Sequence, residues 1–252
     1  MIPIADSITS RRPPIATTLI IITNLVVFTL QTLLPPQTLQ RVVYLFGLVP
    51  ARYTHPDSWT AATGLEALSL WPFLTSVFLH GGLLHVGLNM WMLWIFGDNV
   101  EDRMGSIRFV AFYLLCGVLA SLVYLSVNPS STAPSIGASG AISGVLGAYF
   151  LLYPNARVVA LIPILFIPLF FALPAVVFIG FWFVIQLYSG ALAAMGPENA
   201  TGVAWWAHIG GFMAGLALAA LFLDRRDGAR AADRDHGQIE RARDAGQQRG
   251  RE

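Results

Sequence analysis

Charge is scarce in this chain. Only 12% of its 252 residues are Asp, Glu, Lys or Arg, and between Phe109 and Leu223 only Arg157 and Glu198 carry a formal charge. Lysine is absent altogether, and the net charge of +1 offers no basic face for nucleic acid. The single cysteine, Cys116, cannot form an intrachain disulfide, and no Cys/His pairs stand at zinc spacing. There is no His-Glu-x-x-His and no pair of aspartates in an apolar run, which excludes zinc-dependent and aspartyl proteolysis within a membrane. The chemistry expected of the remaining residues needs no metal and no organic cofactor.

Apolar residues are what the chain has in excess: 56% are hydrophobic and the mean hydropathy is +0.64. So much apolar surface cannot be hidden around one water-soluble core, so the partner is a lipid bilayer. A helical span needs about 20 apolar residues to cross about 30 Å of hydrocarbon. Runs of that kind are Ala16 to Leu34, Phe78 to Phe96, Phe109 to Val127 and Val203 to Leu223, with a shorter one from Ser139 to Tyr153. The first is read as an uncleaved anchor, because no small-residue cleavage site comes after it. From Pro35 to Thr75 runs an aromatic-laced loop of the kind that lies in the membrane interface.

The apolar stretch from Arg157 to Tyr188, broken by Pro163, Pro168 and Pro174, sets the side on which the last span begins. Taken as one crossing, with 158–173 as an interfacial approach and 174–188 as the helical part, it gives an all-α membrane protein of six spans. Both termini then share one side. That side holds Arg11, Arg12, Arg103, Arg108, Arg157 and the arginines of the tail, against Arg41 and Arg52 opposite, and the positive-inside rule makes it cytoplasmic. The expected organisation is a cytoplasmic segment 1–15, a six-span domain 16–223, and a charged, disordered cytoplasmic tail 224–252.

Three polar runs interrupt the oil: His80-Gly81-Gly82-Leu83-Leu84-His85-Val86-Gly87-Leu88-Asn89, Gly137-Ala138-Ser139-Gly140, and Ala207-His208-Ile209-Gly210-Gly211. With six spans His85, Ser139 and His208 all fall near one face. A second crossing between Arg157 and Tyr188 would carry His208 to the opposite face. A serine hydroxyl becomes a useful nucleophile when a base takes its proton, and histidine suits that near neutral pH. Ser139 and His208 fit those roles. His85 and Asn89, four apart, project from one helix face. The backbone N–H of Ser139, at a helix start, lacks an intrahelical partner and can face an oxyanion. The bland reading of Gly140 and Gly144, and of Gly211 and Gly215, is helix packing at small-xxx-small spacing. Polar groups converging at one membrane depth point to function instead. His80 is assigned a structural part in its loop.

At these residues the chain resembles the rhomboid family of intramembrane serine proteases, from about Ala16 to Leu223. The motifs are Gly-x-Ser-Gly at Gly137 to Gly140, His-xxx-Asn at His85 and Asn89, and a histidine with spaced glycines at His208, Gly211 and Gly215. The resemblance implies a six-helix rhomboid-like bundle of the bacterial type, resident in the inner membrane. It implies a serine endopeptidase with a Ser139–His208 dyad, an oxyanion site from His85, Asn89 and the Ser139 N–H, and a cavity open to the extracytoplasmic side. Substrates would be single-pass membrane proteins cut in or near their membrane segment.

Two positions depart from the family pattern. Trp71 is followed by Pro72 where many members have Arg, which questions how the first loop is anchored. Ser143 stands where known members place an aromatic residue that braces the catalytic histidine, so the Ser143 hydroxyl is expected to bond to His208 or to an ordered water beside it. No carboxylate lies in any expected span, so a dyad without a third member is expected. A gate from Phe178, Phe181, Trp182 and Phe183 is weighed against a lipid-facing aromatic surface. A catalytically dead relative would lack the nucleophile or base, and a small transporter would show paired broken helices or repeats; the sequence shows neither trait.

Overall fold

The computed structural model describes residues 1–164, 167–195 and 203–224; the tail expected to be disordered lies outside them from 225 onward. In chain order it forms strand β1 (Ile2–Asp6), helices α1 (Ile15–Thr32), α2 (Pro36–Phe46), α3 (Ala51–Thr54), α4 (Pro56–Thr63) and α5 (Pro72–Thr75), and a 3-10 turn (Ser76–Phe78). Next come α6 (Leu83–Met104), α7 (Ser106–Val127), α8 (Ser139–Leu152), strands β2 (Arg157–Ile164) and β3 (Ile167–Pro174), then α9 (Ala175–Met195) and α10 (Trp205–Phe222).

Four helices, α1, α7, α9 and α10, are long and apolar enough to cross a membrane, and the segment Pro72–Phe78 with α6, bent at 95°, makes five among the described residues. Helix α8 is apolar but has 14 residues. At 1.5 Å per residue it is about 21 Å long, short of a hydrocarbon layer of about 30 Å. A helix so short cannot reach both faces of such a layer.

The fold is mostly helical but not all-α as expected. Strands β2 and β3 pair antiparallel, from Arg157↔Pro174 to Ile164↔Ile167, and β1 adds to the other edge of β2 in the order β1-β2-β3. Pro163, Pro168 and Pro174 each remove a helical donor, while β-branched Val158, Val159 and Ile162 favour an extended chain. Residues 1–15, expected to stand apart from the domain, are knitted into it. Ile2 to Asp6 pair with Leu161 to Val158, and Trp91 Nε1 donates to the Pro3 carbonyl at 2.6 Å. Asp6 accepts from Asn99 Nδ2 at 2.8 Å and from the Tyr149 hydroxyl. Burial raises its carboxyl above the ordinary value, and the bond from Tyr149 opposes that rise.

Helix α6 starts later and runs further than the expected 78–96, so Asp98, Glu101 and Asp102 lie within it. The expectation of spans without carboxylates is corrected here. The reason is an electrostatic cap: Glu101, 3% exposed, accepts the Ala16 and Thr17 amides at the start of α1 at 2.9 and 2.8 Å, and the Ser106 hydroxyl at the start of α7. Gly105, at φ +79, makes the turn between α6 and α7. At the same end Asp224, after α10, forms ion pairs with Arg108 at 3.6 Å and Arg12 at 3.8 Å.

The opposite end is built from backbone. Leu48 and Ser135 exchange both backbone hydrogen bonds, at 3.1 and 2.8 Å, Ala51 N–H donates to Ser131 O, and Gly137 N–H donates to Ser76 O at 2.9 Å. The loop between α1 and α6 thereby braces the segment leading into α8. Its anchor is Arg52, 2% exposed, whose guanidinium donates to the carbonyls of Leu45, Glu66 and Ala67. The first loop is thus anchored by a buried arginine at 52, without one at 72.

The core gathers around α8, whose residues Gly140 through Tyr149 are all buried. A Cβ added at Gly211 would lie 1.9 Å from Gly140 O, and one at Gly215 2.0 Å from Gly144 O. Helices α8 and α10 therefore touch backbone to backbone, which only glycine permits.

Candidate active site

Ser139 opens α8, and His208 lies in the first turn of α10. The glycine contacts between those helices set their separation, and at that separation His208 Nε2 lies 2.8 Å from Ser139 Oγ. Residues 69 positions apart thus form a hydrogen bond at the mouth of the shortest apolar helix. The two line a cavity of about 1140 Å³, which His85, Asn89, Trp182 and Gln186 also line. Such a volume suits an extended peptide segment with its side chains.

His85 and Asn89 lie on one face of α6, turned toward the residues before Ser139. Gly81 N–H donates to His85 Nδ1 at 3.3 Å, so a neutral ring carries its proton on Nε2. That Nε2 would be 2.7 Å from a Cβ on Gly137, and Asn89 Nδ2 3.8 Å from it. Gly137 has φ +129, a conformation open to glycine and strained for other residues. Its missing side chain is the space that lets both donors approach the Ser139 turn. Ser139 is the first residue of α8, so its N–H has no acceptor one turn back. Three donors consequently border the space beside Ser139 Oγ.

His80, 2% exposed, accepts the Ala138 N–H through Nε2 at 3.4 Å, and its backbone is clasped by Gln31, which accepts from His80 N at 3.1 Å and donates to His80 O at 3.2 Å. It ties the end of α1 to the turn before Ser139. Gly140 and Gly211 face each other, as do Gly144 and Gly215, so these glycines serve helix approach.

The expected contact from Ser143 to His208 is not made. The Ser143 hydroxyl donates to Ser139 O at 2.7 Å within α8. In an apolar helix the carbonyl four residues back is the nearest acceptor, and a serine hydroxyl takes it before reaching a neighbouring helix. His208 finds other neighbours instead. Its Nδ1 lies 2.9 Å from Gln186 Oε1 on α9, and the rings of Trp182 and Trp205 sit at centroid distances of 6.2 and 6.1 Å. Gln186 was missed in the sequence, where the only signal is a lone amide in the run Val184-Ile185-Gln186-Leu187. The carboxylates of α6 do not replace it: Asp98 is 13 residues beyond His85, a rise of about 20 Å toward the other end.

Of the four aromatics weighed as a gate, Phe178 is buried and stacks on Phe96, Phe183 stacks on Phe212 at 4.4 Å, and Phe181 is 52% exposed on the outer surface. Trp182 alone lines the cavity.

The chain is similar to several known proteins. Residues 67–225 match the family model described as the rhomboid domain. The chain is 39% identical over 101 residues to the mouse presenilin-associated rhomboid-like protein, mitochondrial, covering 39% of this chain and 26% of that protein. It is 38% identical over 87 residues to rhomboid protein 1, mitochondrial, of Saccharomyces cerevisiae, covering 33% and 25%. It is 44% identical over 78 residues to rhomboid protease GluP of Bacillus subtilis, covering 31% and 15%. The matched segments span about a quarter or less of the length of these relatives.

Proposed function

The chain belongs to the rhomboid family, and on that premise we propose that it is an intramembrane serine endopeptidase that cuts single-pass membrane proteins with a Ser139–His208 dyad. The observation that carries this reading is the 2.8 Å contact between Ser139 Oγ and His208 Nε2 inside a cavity bordered by hydrogen-bond donors.

The atoms in place suffice for the chemistry. The Ser139 hydroxyl gives its proton to His208 Nε2 as Oγ attacks the scissile carbonyl. The oxyanion accepts from His85 Nε2–H, Asn89 Nδ2–H and the Ser139 N–H, donors fixed before reaction by Gly81, by the helix face of α6 and by the start of α8. His208 then passes its proton to the leaving amine. A water, deprotonated by His208, attacks the acyl-enzyme, and collapse returns the proton to Ser139.

This reading takes six membrane segments, α1, α6, α7, α8, α9 and α10, in alternation, with α8 ending inside the layer. The Arg-rich end, where β1, the α6–α7 turn and Asp224 meet, lies on the cytoplasmic side. Ser139 then faces the extracytoplasmic side from below the surface of the layer, as a bacterial inner-membrane enzyme would hold it. A substrate helix has its amides internally bonded, so it must unwind to reach Ser139 as an extended segment. Entry past Trp182 and α9 suits that need.

The test is cleavage of a labelled single-span substrate by the purified chain in liposomes. Ser139→Ala should abolish cleavage and His208→Ala should lower kcat by about 10²- to 10⁴-fold. Any cleavage by Ser139→Ala, or cleavage by His208→Ala at the wild-type rate, refutes the dyad.

A further inference from the structure

A base for Ser139 uses one ring nitrogen of His208, and the other, Nδ1, lies 2.9 Å from Oε1 of Gln186. Gln186 is 4% exposed on α9, and its Nε2 donates to the Trp182 carbonyl one turn back at 3.0 Å. That second bond settles which way the amide points. Turned over, it would set its oxygen 3.0 Å from the Trp182 carbonyl oxygen, two acceptors with no proton between them. With Nε2 committed to Trp182, an oxygen faces Nδ1, so Nδ1 must carry the proton. A neutral imidazole has one N–H, so Nε2 is left with its lone pair, the form able to take the proton of Ser139. The stacking of Phe183 on Phe212 at 4.4 Å, one turn from Gln186, seats α9 on α10 and holds the amide in reach.

We infer that Gln186 is a positioning residue for the reaction: a neutral amide on α9 that fixes the tautomer and ring plane of His208, in the place where soluble triads use a carboxylate. As the imidazolium forms, its Nδ1–H keeps an acceptor throughout, without a buried negative charge that the membrane interior would penalise. This rests on the proposed Ser139–His208 hydrolysis.

The test uses full-length protein in liposomes and two substitutions of matched size. Gln186→Met removes the acceptor but keeps the volume, whereas Gln186→Glu keeps an acceptor oxygen. The rate at which a fluorophosphonate labels Ser139, and kcat for a single-span substrate, should both fall about 10- to 100-fold in Gln186→Met, the range open to one buried hydrogen bond in a transition state, with KM unchanged. Gln186→Glu should retain both rates within about threefold, because a buried carboxyl held as the neutral acid keeps the same pair of bonds, its O–H donating to the Trp182 carbonyl and its C=O accepting from Nδ1. In histidine-15N-labelled wild type, the His208 signals should report a protonated Nδ1, and Gln186→Met should mix the tautomers. That spectrum needs no turnover, so it separates the two ideas: a wild type that neither labels nor cleaves overturns the hydrolase reading, while unchanged labelling or an unchanged tautomer in Gln186→Met overturns the role of Gln186. Equal losses in Gln186→Met and Gln186→Glu also overturn it, since packing rather than an acceptor would then be at work.

Discussion

Gly137 shows how much of the site depends on an absent side chain. Its φ of +129 and the 2.7 Å that would separate a Cβ from His85 Nε2 make even a methyl group intolerable there. Gly137→Ala should push His85 out of line and lower kcat by about 10²-fold or more, the scale of losing one oxyanion donor, with KM little changed. Steady-state kinetics on the single-span substrate checks it. The polar residues of the site were legible in the sequence because each interrupts an apolar run, where a hydroxyl, imidazole or amide needs a reason to be. Gln186 escaped because it shares no motif with the others. Its meaning lies in a ring nitrogen 22 residues further on, a relation that only the packing of α9 on α10 creates. Ser143 misled for the converse reason. Its position four residues after Ser139 put it on the right face, but its own helix offered the nearer acceptor.

Helices α8 and α10 bring Ser139 to His208 by touching at their backbones. A Cβ at Gly215 would lie 2.0 Å from Gly144 O, and neither helix can yield without moving Ser139 relative to His208. Gly215→Ala should therefore cost about 1–3 kcal/mol of stability, as overpacking does, and slow labelling of Ser139 besides. Unfolding in mixed micelles, measured beside labelling, would show whether the two effects move together. The spacing of these glycines was readable as helix packing. The small sheet was not, because prolines spaced through an apolar run say that a helix fails without saying what takes its place. Pairing of β1 with β2 joins residues near 5 and near 159, and no local pattern encodes that partnership. The lower half of α6 was hidden by its charge. Glu101 looks costly in a span until the α1 amides that it caps are in view.

Across the whole molecule, two ends with different chemistry frame the bilayer. One carries Arg12 and Arg108 with Asp224, which meets both, and the other is a backbone-laced loop braced by Arg52. The composition made the membrane legible, and the parity of spans came from asking where three polar runs can meet. With six crossings, reporters fused to the amino and carboxyl ends should both be active on the cytoplasmic side, and one inserted near Ala62 in the loop between α1 and α6 only outside. Opposite sides for the two ends would break the topology and separate His208 from Ser139.

The central claim is that His208 activates Ser139, and the most direct measurement is the site and rate of fluorophosphonate modification of the full chain in a bilayer, read by peptide mass spectrometry. The account predicts one adduct, on the Ser139 hydroxyl, formed about 10²- to 10⁴-fold more slowly in His208→Ala. An adduct on another residue, or modification of Ser139 at an unchanged rate without His208, would contradict it.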